Sequence, residues 1–271
     1  MSVQPRKRFG QHWLTCPQAL AQIVGAAQLQ SGDRLLEIGP GLGVLTQALL
    51  KEPVTVVAVE LDRDLCQKLA RRLGARENFL LLMGDFLKLD LESLLQDFPR
   101  FRPLNKVVAN IPYNITSPIL ENLLGSIAVP RSPHFDSIVL LMQREVAERL
   151  VAQPHTKTYS ALSVRIQYLA HCDWIGDVPR RAFKPAPQVD SAIVRLRPRT
   201  HHLPPCNSKV LGQLVQLGFA SRRKMLRNNL KSFCTPEMLT EALQALKLSP
   251  EVRAEALSLE QWQALCNLLA P

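Results

Sequence analysis

The stretch RLLEIGPGLGVLTQALLK (residues 34–51) changes its periodicity in the middle. Its first residues form a short apolar run that reads as a strand. From Val44 on, apolar side chains return at helical spacing. Between the two stand Gly39, Gly41 and Gly43, a G-x-G-x-G turn. Glycine lets a backbone turn sharply and approach a ligand closely. Val44 stands where the dinucleotide pattern G-x-G-x-x-G would have its third glycine. The stretch therefore predicts a strand–turn–helix unit with a ligand-facing loop, but not the common NAD fingerprint.

The alternation continues outward. TVVAVELD (55–62), NFLLLMGD (78–85), KVVAN (106–110) and SIVLLMQ (137–143) are further apolar runs, with a helix near 63–73. Upstream, residues 17–30 read as a helix with Pro17 near its start. Continuous apolar runs between helices predict a parallel sheet covered on both faces. Segments near 171–178 and 190–197 read as closing strands, the second after a Pro-rich loop. The expected class is thus α/β, a mostly parallel seven-stranded Rossmann-like sheet with a small helical domain behind it. PRTHHLPPCNS (198–208) reads as the linker, with domains at 1–200 and 201–271. In the tail, Thr235 and Ser249, each followed by Pro and Glu, predict helix starts. Ser258 with Gln261 fits a capping box.

Polar residues end successive strands. Glu60 follows the glycine turn by about twenty residues, where an acid can accept both ribose hydroxyls. Asp85 ends the third run, where it can accept from an adenine amine, and Asn110 ends the fourth. In open α/β sheets such ends line one crevice. Together they predict an adenosine cofactor. The Glu-x-Gly-x-Gly-x-Gly loop with Glu60 and Asp85 resembles the class I methyltransferases, which bind S-adenosylmethionine.

Asn110, Ile111, Pro112 and Tyr113 resemble the Asn/Asp-Pro-Pro-Tyr motif of enzymes that methylate exocyclic amines. An adenine amine is a poor nucleophile, because its lone pair is delocalised into the ring. The Asn110 carboxamide oxygen can accept one amine hydrogen and the Ile111 carbonyl the other. Pro112 restricts Ile111 to an extended shape. Tyr113 offers a stacking face. The proton becomes acidic only after attack, so positioning and desolvation carry the chemistry.

RKRFGQHWL (6–14), NIPYN (110–114), FKPAPQVDSAIVRL (183–196) and SRRKMLRNNL (221–230) together closely resemble the ribosomal RNA adenine N6,N6-dimethyltransferases, over about Arg6 to Leu230. The resemblance implies that His12, Leu14, Gly39, Gly41, Glu60, Asp85 and Asn110 hold the cofactor. It implies that Tyr113 and Phe183 sandwich the target adenine. It further implies a substrate of two adjacent adenosines in the 3′-terminal hairpin loop of 16S rRNA, within an immature small ribosomal subunit. One departure stands out: the family commonly has Asn-Phe where this chain has His12 and Trp13. The alternatives are the large-subunit 23S rRNA dimethylase of the antibiotic-resistance type, a DNA adenine methyltransferase, and a non-catalytic ribosome assembly factor. The VDSAIVRL strand and the long helical tail favour the small-subunit branch.

The formal net charge is +10, and between Arg180 and Lys231 stand twelve Lys or Arg against one acid, Asp190. Such a basic face suits phosphate. Within it, Arg222, Arg223, Lys224, Arg227 and Lys231 are the candidate RNA contacts. On a helix, Arg223, Arg227 and Lys231 would share one face. Arg6, Lys7 and Arg8 could add a basic arm. The six cysteines form no CxxC pair, which fits a reducing, cytoplasmic setting. His201, His202 and Cys206 lack a fourth ligand at ordinary spacing, so no metal is expected. No stretch suits a membrane span or a secretory leader. A monomer is expected.

Overall fold

The computed structural model describes residues 11–132, 135–199 and 206–270. Its strands are β1 (Trp13–Leu14), β2 (Arg34–Ile38), β3 (Thr55–Glu60), β4 (Phe79–Met83), β5 (Lys106–Asn110), β6 (Ser137–Gln143), β7 (Ala170–Val178), β8 (Phe183–Lys184) and β9 (Ser191–Pro198). The first helices are α1 (Pro17–Ala26), α2 (Val44–Leu49), α3 (Arg63–Leu73), α4 (Leu91–Leu94), α5 (Thr116–Leu124) and α6 (Arg144–Val151). Then come α7 (Ala161–Leu169), α8 (Ser208–Gly218), α9 (Leu226–Asn229), α10 (Pro236–Ala245) and α11 (Leu259–Leu269).

Seven strands form one sheet in the order β4-β3-β2-β5-β6-β9-β7. β4, β3, β2, β5 and β6 are parallel, and β9 returns antiparallel to β6. Because side chains alternate across a strand, Val56 and Ala58 of β3 join one apolar cluster with α1 and α2, while Val57 joins another with Leu95 and Phe101. Both faces are therefore covered, which is why the central strands read as continuous apolar runs. Each fully buried Val or Leu contributes about 1.5–3 kcal/mol. From β2 the strand order runs outward in both directions. That puts a switch point between β2 and β5, the place where such sheets bind ligands at their carboxyl ends.

The chain divides into two compact units. One comprises Met1–Asn122, His134–Ala147 and Asp173–Arg197; the other comprises Leu123–Pro133, Glu148–Cys172 and Pro198–Pro271. These units do not follow a single cut at residue 200, because the second also takes in chain from before β9. Within the second unit, Trp262 of α11 is fully buried against Phe219, with ring centroids 5.8 Å apart.

Several expected elements differ. α1 stops at Ala26 rather than near 30, and Gln28 takes a positive φ of 46°. Residues 221–232 do not form one helix; only α9, four residues long, is helical. Met225 is extended, and the Asn229 carboxamide donates to the Gly218 and Ser221 carbonyls, tying the segment into a turn. Ser249 starts no helix. Glu251 N–H donates to its hydroxyl in a turn, and the Val252 carbonyl accepts from Leu226 N–H. The capping box at Ser258 and Gln261 and the N-cap at Thr235 form as expected. Arg6 to Arg8, His201 and His202 lie outside the described residues.

Candidate active site

The glycine turn follows β2. Gly39 N–H donates to the Val59 carbonyl at 2.9 Å, tying the turn to β3. Gly39, Gly41 and Gly43 have φ of 69°, 58° and 72°, a region that disfavours any residue with a Cβ. At Gly43 a Cβ would also lie 2.6 Å from Leu69 Cδ2. The Arg72 guanidinium of α3 donates to the Leu42 carbonyl and braces the turn from outside.

This turn borders a cavity of about 360 Å³, lined also by Glu60, Asp85, Phe86, Asn110, Ile111, Pro112 and Tyr113. Four strand ends meet there, as their spacing predicts. Glu60 accepts from Gly41 N–H at 3.0 Å and Asp62 N–H at 2.9 Å, one bond to each oxygen. Burial pushes its carboxyl above the ordinary range, and those two bonds pull against the rise. Asp85 Oδ1 accepts from Leu87 N–H at 3.1 Å. Glu37, on β2, is 1% exposed, and burial raises its pKa to about 8, with the Glu60 carboxylate adding to the rise. Its Oε2 has no hydrogen-bond partner among the described residues.

Asn110 closes β5. Its Nδ2 donates to the His12 carbonyl at 3.1 Å, which leaves Oδ1 as the acceptor available to a ligand. Pro112 (φ −61°, ψ 130°) then leads into a single 3-10 turn at Tyr113–Ile115. The Tyr113 hydroxyl shares a 2.6 Å hydrogen bond with the Ser191 hydroxyl, and burial raises its pKa. Its ring is thereby held in place and neutral.

A strap, residues 11–15, also borders the cavity; the resemblance names His12 and Leu14 within it, but nothing in the sequence shows the strand pairing that holds it. β1 pairs antiparallel with β8, matching Trp13 to Lys184 and Leu14 to Phe183. Thr15 bonds the Ala182 carbonyl through both N–H (2.7 Å) and hydroxyl (3.0 Å). Gln11 Nε2 donates to Asp62 at 3.3 Å. Gln11, His12, Trp13 and Leu14 all line the cavity. Two adjacent strand residues joining a distant strand leave no period in the sequence, so this element has no local signal.

One expected site residue lies away from the cavity. Phe183 does not face Tyr113 across an open slot. It is 4% exposed, packed in the apolar cluster with Leu14, and it does not line the cavity. Its place on β8 turns the ring into the core. Instead the His12 imidazole stacks on Tyr113, with centroids 5.7 Å apart and planes 21° off parallel. His12 Nδ1–H donates to the Pro185 carbonyl at 2.8 Å.

In the tail, Arg222, Arg223, Lys224, Arg227 and Lys231 are exposed. The broken helix does not give them the single helical face that the spacing predicts. Arg222 is also engaged internally, donating to the Lys157 and Tyr159 carbonyls and to Glu255. Among the described residues no group of His, Cys, Asp or Glu could hold a metal, and no helix is long and apolar enough to cross a membrane.

The cradle fits an adenosyl amino acid: glycines where a Cβ would be strained, an acid at β3, a carboxylate beyond β4, and polar atoms of Glu37 and Trp13 that have no hydrogen-bond partner among the described residues. Comparison with known proteins agrees. Residues 3–271 match the family model described as ribosomal RNA adenine dimethylase. The chain is 64% identical to a Synechocystis protein named ribosomal RNA small subunit methyltransferase A, covering 99% of this chain and 98% of the relative. A protein of the same name from Rippkaea orientalis is 61% identical, with 98% of each chain covered. Among solved structures, a dimethyladenosine transferase from Plasmodium falciparum superposes with a TM-score of 0.75 at 27% identity, covering 94% of this chain and 96% of that one. The 23S rRNA methyltransferase ErmE gives 0.73 at 27% identity, covering 96% of this chain and 100% of that one.

Proposed function

The chain belongs to the ribosomal RNA adenine dimethylase family, and from that premise we propose how its residues carry out the reaction and on which RNA. It is an S-adenosylmethionine-dependent methyltransferase that dimethylates adenine in 16S rRNA. The finer target we assign is two adjacent adenosines in the 3′-terminal hairpin loop, within an immature small subunit in the cytoplasm, with the protein acting as a monomer. The supporting observation is the name shared by full-length relatives at 64% and 61% identity. A large-subunit target has less support, since ErmE is only 27% identical.

When bound, S-adenosylmethionine supplies an electrophilic methyl group on a sulfonium. Glu60 would accept from the ribose hydroxyls with the lone pairs that its two backbone bonds leave free. Asp85 would take the adenine amine, and Gly39, Gly41, Leu14 and the His12 backbone would complete the cradle. Asn110 Oδ1 and the Ile111 carbonyl would each accept one hydrogen of the target amine, favouring a pyramidal nitrogen. The clasp from Asn110 Nδ2 to the His12 carbonyl presets that orientation. Tyr113 would stack the target base, an interaction worth roughly 1–3 kcal/mol. That offsets most of the few kcal/mol needed to extrude a base, and a loop adenine needs less. His12 would have to turn off the Tyr113 ring before the base could use that face. Arg223, Lys224, Arg227 and Lys231, with a smaller part from Arg222, would hold phosphates, making the segment from 201 on the RNA-binding part and 1–200 the catalytic part.

The test is methyl transfer from labelled S-adenosylmethionine to undermethylated small subunits, with large-subunit RNA and DNA in parallel. Nucleoside mass spectrometry should find N6,N6-dimethyladenosine at two neighbouring loop positions of 16S rRNA. Label confined to large-subunit RNA would reverse the assignment. Cofactor binding with no transfer to any RNA would favour an assembly factor.

A further inference from the structure

Trp13 carries a buried indole N–H with no hydrogen-bond partner among the described residues. Indole nitrogen is a donor only, and leaving a buried donor unmade costs about 1–3 kcal/mol. A buried unsatisfied group therefore calls for an explanation. The location supplies one. Trp13 lines the cavity with the glycine turn, and its Nε1 and Cδ1 stand 3.2 and 3.1 Å from where a Cβ on Gly41 would be. Pairing of β1 with β8 fixes the residue there.

The order of the sheet says which part of a cofactor comes to this side. Asp85 beyond β4 and Glu60 on β3 suit the adenine amine and the ribose hydroxyls. The amino-acid end is then left for β2, β5 and the strap, where the glycine turn and Trp13 meet. That end carries a carboxylate and an ammonium. Among the carboxyls here, Glu60 repels a carboxylate, while Glu37, which holds its proton at neutral pH, offers the ammonium an acceptor and adds no charge. An uncharged donor such as the indole N–H suits the carboxylate, in a charge-assisted hydrogen bond. We propose that Trp13 Nε1–H is a recognition element for the α-carboxylate of the cofactor's amino-acid end. The inference rests on the cofactor reading of the cavity. Its consequence is selectivity: ligands with an amino-acid tail are held more tightly than bare adenosyl thioethers.

Trp13→Phe keeps an aromatic plate over Gly41 and removes the N–H. Calorimetric titration of the full chain would use S-adenosylhomocysteine, which has the carboxylate, and 5′-methylthioadenosine, which lacks the amino-acid end. The expected result is a loss of roughly tenfold or more for S-adenosylhomocysteine, from the worth of a hydrogen bond to a charged group, and none for methylthioadenosine. Unchanged affinity for S-adenosylhomocysteine would overturn the proposal while the cofactor reading stands. Equal loss for both ligands would also overturn it, assigning Trp13 to packing. Binding of neither ligand by the wild type would overturn both. A second measurement needs no variant. The wild-type chain has three tryptophans, and in its ¹⁵N-labelled form S-adenosylhomocysteine, but not methylthioadenosine, should move one indole N–H resonance downfield and slow its exchange. Identical spectra with the two ligands would count against the proposal.

Discussion

Asn110 uses its Nδ2 on the His12 carbonyl and so presents Oδ1 to the cavity. Asn110→Ala removes an acceptor aimed at the reacting amine but no phosphate contact. Single-turnover transfer should fall roughly a hundredfold or more, while RNA affinity is retained; equal loss of both would contradict the assigned role. Glu37 is a second case in which one side chain's surroundings set its behaviour. Its pKa rises from 4.5 to about 8. Between those values the folded protein holds a proton that the unfolded chain has released, so this group makes stability fall as pH rises. Glu37→Gln removes that titration. The variant's Tm should gain on the wild type between about pH 5 and about pH 8, and a difference constant with pH would contradict the account. The identities of Asn110 and Glu60 were legible because strand ends carry their own pattern. The unpaired state of Trp13 and the burial of Phe183 were not, since both depend on a strand pair more than a hundred residues apart in sequence.

Elements formed as expected where local signals met no competition. α11 begins on Ser258, whose hydroxyl accepts from Gln261 N–H at 3.2 Å while Gln261 Oε1 accepts from Ser258 N–H at 2.8 Å. Ser258→Ala should cost about 1 kcal/mol, visible as a lower urea midpoint with an unchanged m-value. An unchanged midpoint would mean the helix end is held by packing around Trp262 alone. Residues 221–232 show the opposite case. The spacing of Arg223, Arg227 and Lys231 suits a helix, but Asn229 takes the Gly218 and Ser221 carbonyls and the Val252 carbonyl accepts from Leu226 N–H. Those bonds hold the chain in a turn, and no helix periodicity records them. Ser249 loses its expected helix to the same bridge.

Across the whole molecule, charge is concentrated rather than spread, with twelve basic residues against Asp190 between Arg180 and Lys231. Reversing Arg223 and Arg227 to Glu should weaken RNA binding and flatten its log–log salt slope by roughly one to two; an unchanged slope would remove both from the interface. Loss of the helical face leaves this prediction intact, because phosphate neutralisation depends on charge and reach more than on secondary structure. The sequence by itself determined the parallel α/β layer, the glycine cradle and the polar strand ends around it, because apolar period and turn chemistry are written within a few consecutive residues. Only the tertiary structure decided the strand order that makes β2 and β5 the switch point, and the two-unit division drawing on segments before and after β9. It alone decided the strap that brings Trp13 over Gly41 and His12 onto Tyr113, and the burial of Phe183. Those outcomes come from distant segments competing for the same backbone partners and the same apolar surface, and no single segment carries the result of that competition.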